Sequence, residues 1–154
     1  MRIAFDLDNT LIRCGYDFPL EQPLRRTWAK LLGGERLRLG ITEVACYCRQ
    51  HNWEMWVYTT SHRSSWYVRK LFWLYGISLA GVVNQQRHSR EVTAWCSKHP
   101  PSFNIDYLLD DAEGVRLEGE HHTFRVILVQ PQDTQWATKV LNQLAVENKA
   151  QVAT

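Results

Sequence analysis

Five short apolar stretches read as strands, and amphipathic or polar stretches separate them. The first, residues 2–7 (RIAFDL), alternates Ile3, Phe5 and Leu7 with smaller or polar positions and breaks at Asn9, which predicts a short strand ending in a turn. Residues 55–58 (MWVY) form a continuous apolar run, as a buried parallel strand does. Strands are also predicted within 79–83 (LAGVV), over 105–109 (IDYLL) and over 123–129 (TFRVILV), the last ended by Pro131. Helical spacing marks the intervals. Leu24, Thr27/Trp28 and Leu31 recur at three to four residues over 24–32, with Gly33 and Gly34 as the stop. Thr42 is an N-cap candidate for a helix over 43–50 with Val44, Tyr47 and Cys48 inward. Over 64–75, Ser64 or Ser65 caps a helix whose inner stripe is Tyr67, Leu71 and Leu74, with Gly76 at its end. A helix over 89–98 is anchored by Val92 and Trp95 and closed by His99, Pro100 and Pro101. Gly114 falls in a turn or short helical segment, and a last helix over 134–148 turns Trp136, Val140, Leu141 and Leu144 inward.

Strands alternating with helices predict an α/β fold, a three-layer α/β/α sandwich with a mostly parallel sheet. Residues 1–154 read as one domain, with a loop and helix insertion around 13–40 that Pro19 and Pro23 keep irregular at its start. The interval between the first two strands holds one or two helices and is too short for a large inserted domain. Hydrophobic residues make up 45% of the chain, enough for a substantial core, and most of the seven tryptophans read as core anchors. Trp28, Trp53 or Trp66 would stack on a base only if exposed. A net charge of +2 does not by itself indicate nucleic-acid binding. No apolar run reaches membrane-spanning length, and the N-terminal strand with Arg2 is not a signal peptide. Cys14, Cys46, Cys48 and Cys96 lack zinc or redox spacing and read as reduced thiols of a cytoplasmic protein.

Ligands of parallel α/β sheets gather beyond the carboxyl ends of the strands. Three strands end in groups suited to one site: Asp6 and Asp8 after the first, Thr59 and Thr60 after the second, Asp110 and Asp111 after the fourth. Alternation puts Asp6 and Asp8 on one side of an extended strand, and a turn at Leu7 or Asp8 would aim them differently while keeping them close. Four carboxylates at one edge disfavour their own ionised state without a cation. Mg²⁺ fits best, being a hard ion held by few carboxylates plus water and phosphate.

These stretches resemble the motifs of the haloacid-dehalogenase-like (HAD) superfamily in its phosphatase form. DLDNTL (Asp6 to Leu11) resembles the first motif, Asp-x-Asp-x-Thr after an apolar strand. WVYT (Trp56 to Thr59) resembles the second, and LLDDAEG (Leu108 to Gly114) the acidic fourth. The resemblance implies a HAD-like Rossmannoid fold without a large cap and a Mg²⁺-dependent phosphomonoester hydrolase. Asp6 would be the nucleophile that forms an aspartyl-phosphate, and Asp8 the general acid and then the base. Asp6, the Asp8 carbonyl and Asp110 would hold Mg²⁺, with Asp111 a ligand or a partner of one. Thr59 would bind phosphoryl oxygens, with Thr60 or Ser61 able to share that role. Thr10 would tie down the turn that presents Asp8.

The family's third motif is a Lys or Arg that steadies the charge of the aspartate and phosphate. Arg87 and Arg90 precede Asp110 at a suitable distance and Arg90 is favoured over Arg87, while Lys98 near the end of its predicted helix would point away from the site. His62 and Arg63 are either substrate contacts or a solvated loop. Without a large cap the site is open, or covered only by the loop around Tyr16, Phe18 and Pro19, which suits a large phosphorylated substrate. Similar capless relatives include magnesium-dependent phosphatases, protein-serine phosphatases and polynucleotide 3′-phosphatases. A phosphoprotein, a nucleotide or a polynucleotide end is therefore the expected substrate class. The alternatives are a phosphotransferase or nucleotidase on the same fold, a catalytically silent HAD-like binding or regulatory protein, and a receiver-type phospho-acceptor, which does not explain the Asp-x-Asp-x-Thr spacing. Oligomeric state is not legible.

Overall fold

All five predicted strands form, and they lie in one sheet. The computed structural model describes the backbone of residues 1–152 and the side chains of residues 1–148. The strands are β1 (Arg2–Phe5), β2 (Glu54–Tyr58), β3 (Gly81–Val83), β4 (Tyr107–Asp110) and β5 (Arg125–Leu128). They are parallel throughout, in the order β3-β2-β1-β4-β5. The strand that carries Asp6 and Asp8 is thus central. Strand order reverses between β1 and β4, the position where open α/β sheets leave a crevice for ligands. In register, Phe5 lies beside Val57 on one side and Leu109 on the other.

The helices are α1 (Arg26–Leu32), α2 (Ile41–Gln50), α3 (Ser65–Trp73), α4 (Gln85–Glu91), α5 (Glu113–His122) and α6 (Trp136–Val152), with a 3-10 helix over Pro100–Phe103. Strand alternation divides the core in two. Ile3, Phe5, Met55, Val57 and Leu109 pack against buried faces of α2, α3 and α6. Ala4, Trp56, Tyr58 and Leu108 pack with Phe103, Val115 and Phe124 on the opposite face. Gly81 is required there, because a Cβ on it would come 2.2 Å from the Trp56 ring.

Four elements depart from the sequence pattern. The stripe of α1 faces outward: Leu24, Trp28 and Leu31 are exposed, and only Ala29 packs against the core. Helix α2 begins at Ile41 behind Gly40, whose φ of 98° is left-handed, and Thr42 inside the helix donates its hydroxyl to Glu21 at 2.8 Å instead of capping. Asn84 sets the start of α4 by accepting from the Arg87 amide at 3.0 Å, so that helix forms early and ends at Glu91. Trp95 is consequently 98% exposed rather than an anchor. The turn or short helical segment expected around Gly114 is a ten-residue helix, α5. Its Gly114 and Gly119 hide its propensity, yet Gly119 lets the helix approach the Phe124 carbonyl, from which a Cβ would stand only 2.8 Å away.

One buried side chain joins the loops at the site's edge. Arg38 is 1% exposed and donates to the carbonyls of Thr10, Gln130, Pro131 and Asp133 at 2.7–3.2 Å. Its guanidinium lies 4.6 Å from the Phe18 ring and 5.3 Å from that of Trp136. The loop after β1 is thereby tied to the loop after β5. Burial lowers the Arg38 pKa, while Asp133 and Asp111 raise it. Arg38→Met leaves buried carbonyls without donors and is expected to cost roughly 3 kcal/mol in urea unfolding. Recovery of wild-type stability in Arg38→Lys would contradict this role, since an ammonium does not span the same carbonyls.

Candidate active site

The loop after β1 is built to present carboxylates. The amides of Leu11 and Ile12 both donate to the Leu7 carbonyl, the Asn9 amide donates to Ile12, and Asn9 takes a left-handed φ of 63°. Leu7, Leu11 and Ile12 are buried and anchor this tight turn. The Asp6 amide donates to the Leu109 carbonyl at 2.8 Å, continuing the β1–β4 ladder to the site. Asp6 is therefore held inside, 5% exposed, whereas Asp8 lies on the rim.

Lys98 is the buried cation of the site. Its Nζ lies 2.5 Å from Asp6 Oδ1 and 2.5 Å from Asp110 Oδ2, and it is 3% exposed. This corrects the expectation for Arg87 and Arg90. Arg87 pairs with Glu91 at 3.2 Å and lies over the Trp56 and Phe103 rings. Arg90 is largely exposed and also pairs with Glu91. The cause is the early end of α4. The irregular run from Val92 to His99 delivers Lys98 to the sheet edge instead of leaving it at a helix end. The signal was present in His99-Pro100, since a residue before proline avoids helical backbone.

Asp110 completes its partners by accepting from the Ala112 amide at 2.9 Å. Thr10, fully buried, donates to Asp111 Oδ1 at 3.0 Å and lies 3.4 Å from Asp6 Oδ2. Asp6, Asp110 and Asp111 offer carboxylate oxygens within 4.8 Å of one another, a group able to hold a metal ion. Burial pushes Asp6 up to about 7; Lys98 pulls it down and Asp110 pushes it up. Burial acts to lower Lys98, but Asp6 and Asp110 together raise it, so the ammonium stays charged. Burial likewise raises Asp111, against the Thr10 hydrogen bond. Three carboxylates thus face one ammonium.

Thr59 is fully buried at the end of β2, where its Oγ1 accepts from the Ser61 amide at 3.1 Å. Thr60 is exposed. His62 is exposed, but Arg63 is no solvated loop residue. Its guanidinium donates to Asp8 Oδ2 at 3.1 Å and to Glu35 Oε2 at 2.9 Å, and Tyr67 donates to the same Glu35 oxygen at 2.9 Å. The segment between α1 and α2 is thereby tied to Asp8 through Arg63. Phe18 is buried against Arg38, and Tyr16 beside it is exposed.

A buried relay fixes the backbone next to Lys98. The Tyr58 hydroxyl accepts from the His99 amide at 2.8 Å and is hydrogen-bonded to His88 Nδ1 at 2.6 Å. Burial lowers the His88 pKa. A depressed histidine contributes stability that is complete above its unfolded value of 6.5 and is lost as pH falls through the folded value. The stability difference between wild type and His88→Asn is therefore expected to shrink as pH is lowered from 7 through 6.5 and below. Contributions from Asp6 cancel in that difference, and a difference independent of pH would count against the assignment.

No protein-family model matches the sequence, and no curated protein does. Solved structures do share the fold. A HAD-superfamily hydrolase, subfamily IA, variant 1, from Geobacter sulfurreducens PCA is 14% identical over 93% of this chain and 95% of its own, with a TM-score of 0.58. CbbY from Rhodobacter sphaeroides, solved with phosphate, is 13% identical over 84% of this chain and 85% of its own, with a TM-score of 0.51. A chain of the Pnkp1/Rnl/Hen1 complex is 14% identical over 86% of this chain, with a TM-score of 0.53. This chain spans 46% of that chain's length. The fold assembled from the strand pattern is the HAD-like fold.

Proposed function

We propose that this protein is a phosphomonoester hydrolase that uses Mg²⁺ and passes through an aspartyl-phosphate on Asp6. The observation that carries this reading is the buried Lys98 ammonium between Asp6 and Asp110, with Asp8 two residues beyond at the mouth. The donor set fits Mg²⁺: Asp6, Asp110 and Asp111 supply hard oxygen ligands, and their charge exceeds that of Lys98. When bound there, Mg²⁺ would offset phosphoryl charge. Asp6 attacks phosphorus, and Lys98 favours its ionised carboxylate against burial, which favours the proton. Asp8 protonates the leaving oxygen and afterwards takes a proton from the water that opens the acyl phosphate. Thr59 donates to a phosphoryl oxygen once its hydroxyl turns from Ser61. Thr10 orients Asp6 and Asp111.

The fold shared with HAD-superfamily hydrolases, one of them solved with phosphate, supports the reaction class. The neighbour from an RNA repair complex, together with the two-helix interval between β1 and β2, favours a phosphorylated macromolecule as substrate. Residues 1–154 would act as one domain, and free thiols suit a reducing cytoplasm. A silent binding protein has less reason to keep Asp8 at the mouth.

Turnover of an aryl phosphate is expected to require Mg²⁺, to stop with EDTA and to vanish in Asp6→Asn. Full activity of that variant, or turnover without metal, would sink the proposal. The basic role is separable by mutation. Lys98→Met is expected to lower kcat by about 100-fold or more, while Arg87→Ala and Arg90→Ala leave it unchanged. Loss of activity in either arginine variant with a folded protein would return the role to α4.

A further inference from the structure

We propose that the outer face of α3, with the start of α1, binds single-stranded polynucleotide. Three tryptophans stand in the open here: Trp66 is 70% exposed, Trp28 51% and Trp73 42%. The sequence pattern favoured the core for Trp28 and Trp66, and the structure puts both outside. Trp66, Lys70 and Trp73 recur at four and three residues, so they share one face of α3, rising about 10 Å along it. The Lys70 ammonium lies 5.2 Å from the Trp66 ring and 4.9 Å from that of Tyr67. The Arg25 guanidinium lies 4.2 Å over Trp73, whose ring meets Trp28 edge-on at 6.2 Å. Between Trp66 and Trp73 is a cavity of about 520 Å³, bordered by Arg25, Arg69, Lys70 and the Gly76–Leu79 turn.

The face is basic, with Glu35 at its border on Tyr67. No Asp or Glu occurs from Met55 to Arg90, a span whose Arg69 and Lys70 border the cavity, while its Arg63, Arg87 and Arg90 are engaged by Asp8, Glu35 and Glu91. None occurs from Gln22 to Gly34, which carries Arg25, Arg26 and Lys30. Arg25, Arg69 and Lys70 therefore stand beside the exposed tryptophans with no carboxylate from these two stretches. Cations beside open aromatic faces match a strand of unpaired bases on a phosphate backbone: bases stack on the rings, and Arg and Lys neutralise phosphates. A duplex hides its base faces. A bilayer engages a convex apolar surface, whereas these rings border a concavity rimmed by charge. The face also adjoins the mouth, since Trp66 follows by three residues the Arg63 that holds Asp8. A strand lying along α3 would be led toward Asp8.

Binding is separable from hydrolysis. The full chain is titrated, without Mg²⁺, into a fluorescent oligouridylate of about 12 nucleotides that bears no terminal phosphate, and anisotropy is read. Saturable binding at about 50 mM salt that weakens steeply with added salt is expected. Trp66→Ala should weaken it by about 5- to 100-fold, and Trp66→Phe should restore most of the loss. Lys70→Ala should reduce the log–log salt slope by about 0.7. The exposure of Trp66 leaves the fold intact in these variants, which unchanged aryl-phosphate turnover and thermal melting verify. Absence of binding, equal affinity for a duplex of the same sequence, or indifference to Trp66→Ala would overturn the proposal. So would capture by phosphatidylserine vesicles without oligonucleotide binding, or a self-association lost in Trp66→Ala, which assign the face to lipid or to a second copy. Failure here leaves aryl-phosphate hydrolysis untouched, and a catalytically inert chain that binds the oligonucleotide removes only the hydrolase reading.

Discussion

A buried ammonium between two buried carboxylates is the constraint that the rest of the site obeys. Removing Lys98, Asp6 or Asp110 from water costs several kcal/mol each, and only close, well-directed pairing offsets it. Each partner is accordingly fixed by backbone. Asp6 is held by its amide bond to Leu109, Asp110 by the Ala112 amide, and the segment carrying Lys98 by the bond from the His99 amide to Tyr58. Two strands, β1 and β4, therefore meet at the Lys98 nitrogen, and β2 fixes the irregular run that carries it. Parallel register makes this possible, because it brings the carboxyl ends of β1, β2 and β4 to one edge.

The strands and the acidic half of the site were legible because both depend on local pattern. Alternation at Ile3 and Phe5 and the apolar run MWVY specify buried parallel strands, and the polar residues that follow each strand must then lie at its carboxyl end. Lys98 was hidden because its position depends on where α4 stops. Asn84 starts that helix four residues before the apolar spacing at Val92 and Trp95 suggested, so the two anchors fall in extended chain. The stripe of α1 misled for a related reason. Helical spacing reports a face and not what covers it, and Leu24, Trp28 and Leu31 meet solvent. Arg38 was invisible because a charged residue is rarely buried, and its four carbonyl partners come from loops distant in sequence.

Asp6 and Asp8 are two residues apart, yet their surroundings divide the proposed labour between them. Asp6 is enclosed with a fixed counter-charge, as suits a nucleophile that must stay ionised and aimed. Asp8 is on the rim, where a leaving group and a water both have access. Carboxylates separated by environment in this way take different roles in one reaction. The guanidinium of Arg63 meets the Asp8 carboxylate at 3.1 Å, so it stands where a leaving group would enter. A phosphoryl group entering beside Asp8 brings anionic oxygens that compete for the same guanidinium. Glu35 retains Arg63 through its own two-point contact during that exchange, so the arginine is shared rather than lost. The short segment between α1 and α2 would in this way couple substrate entry to the contact between Arg63 and Asp8 without enclosing the site.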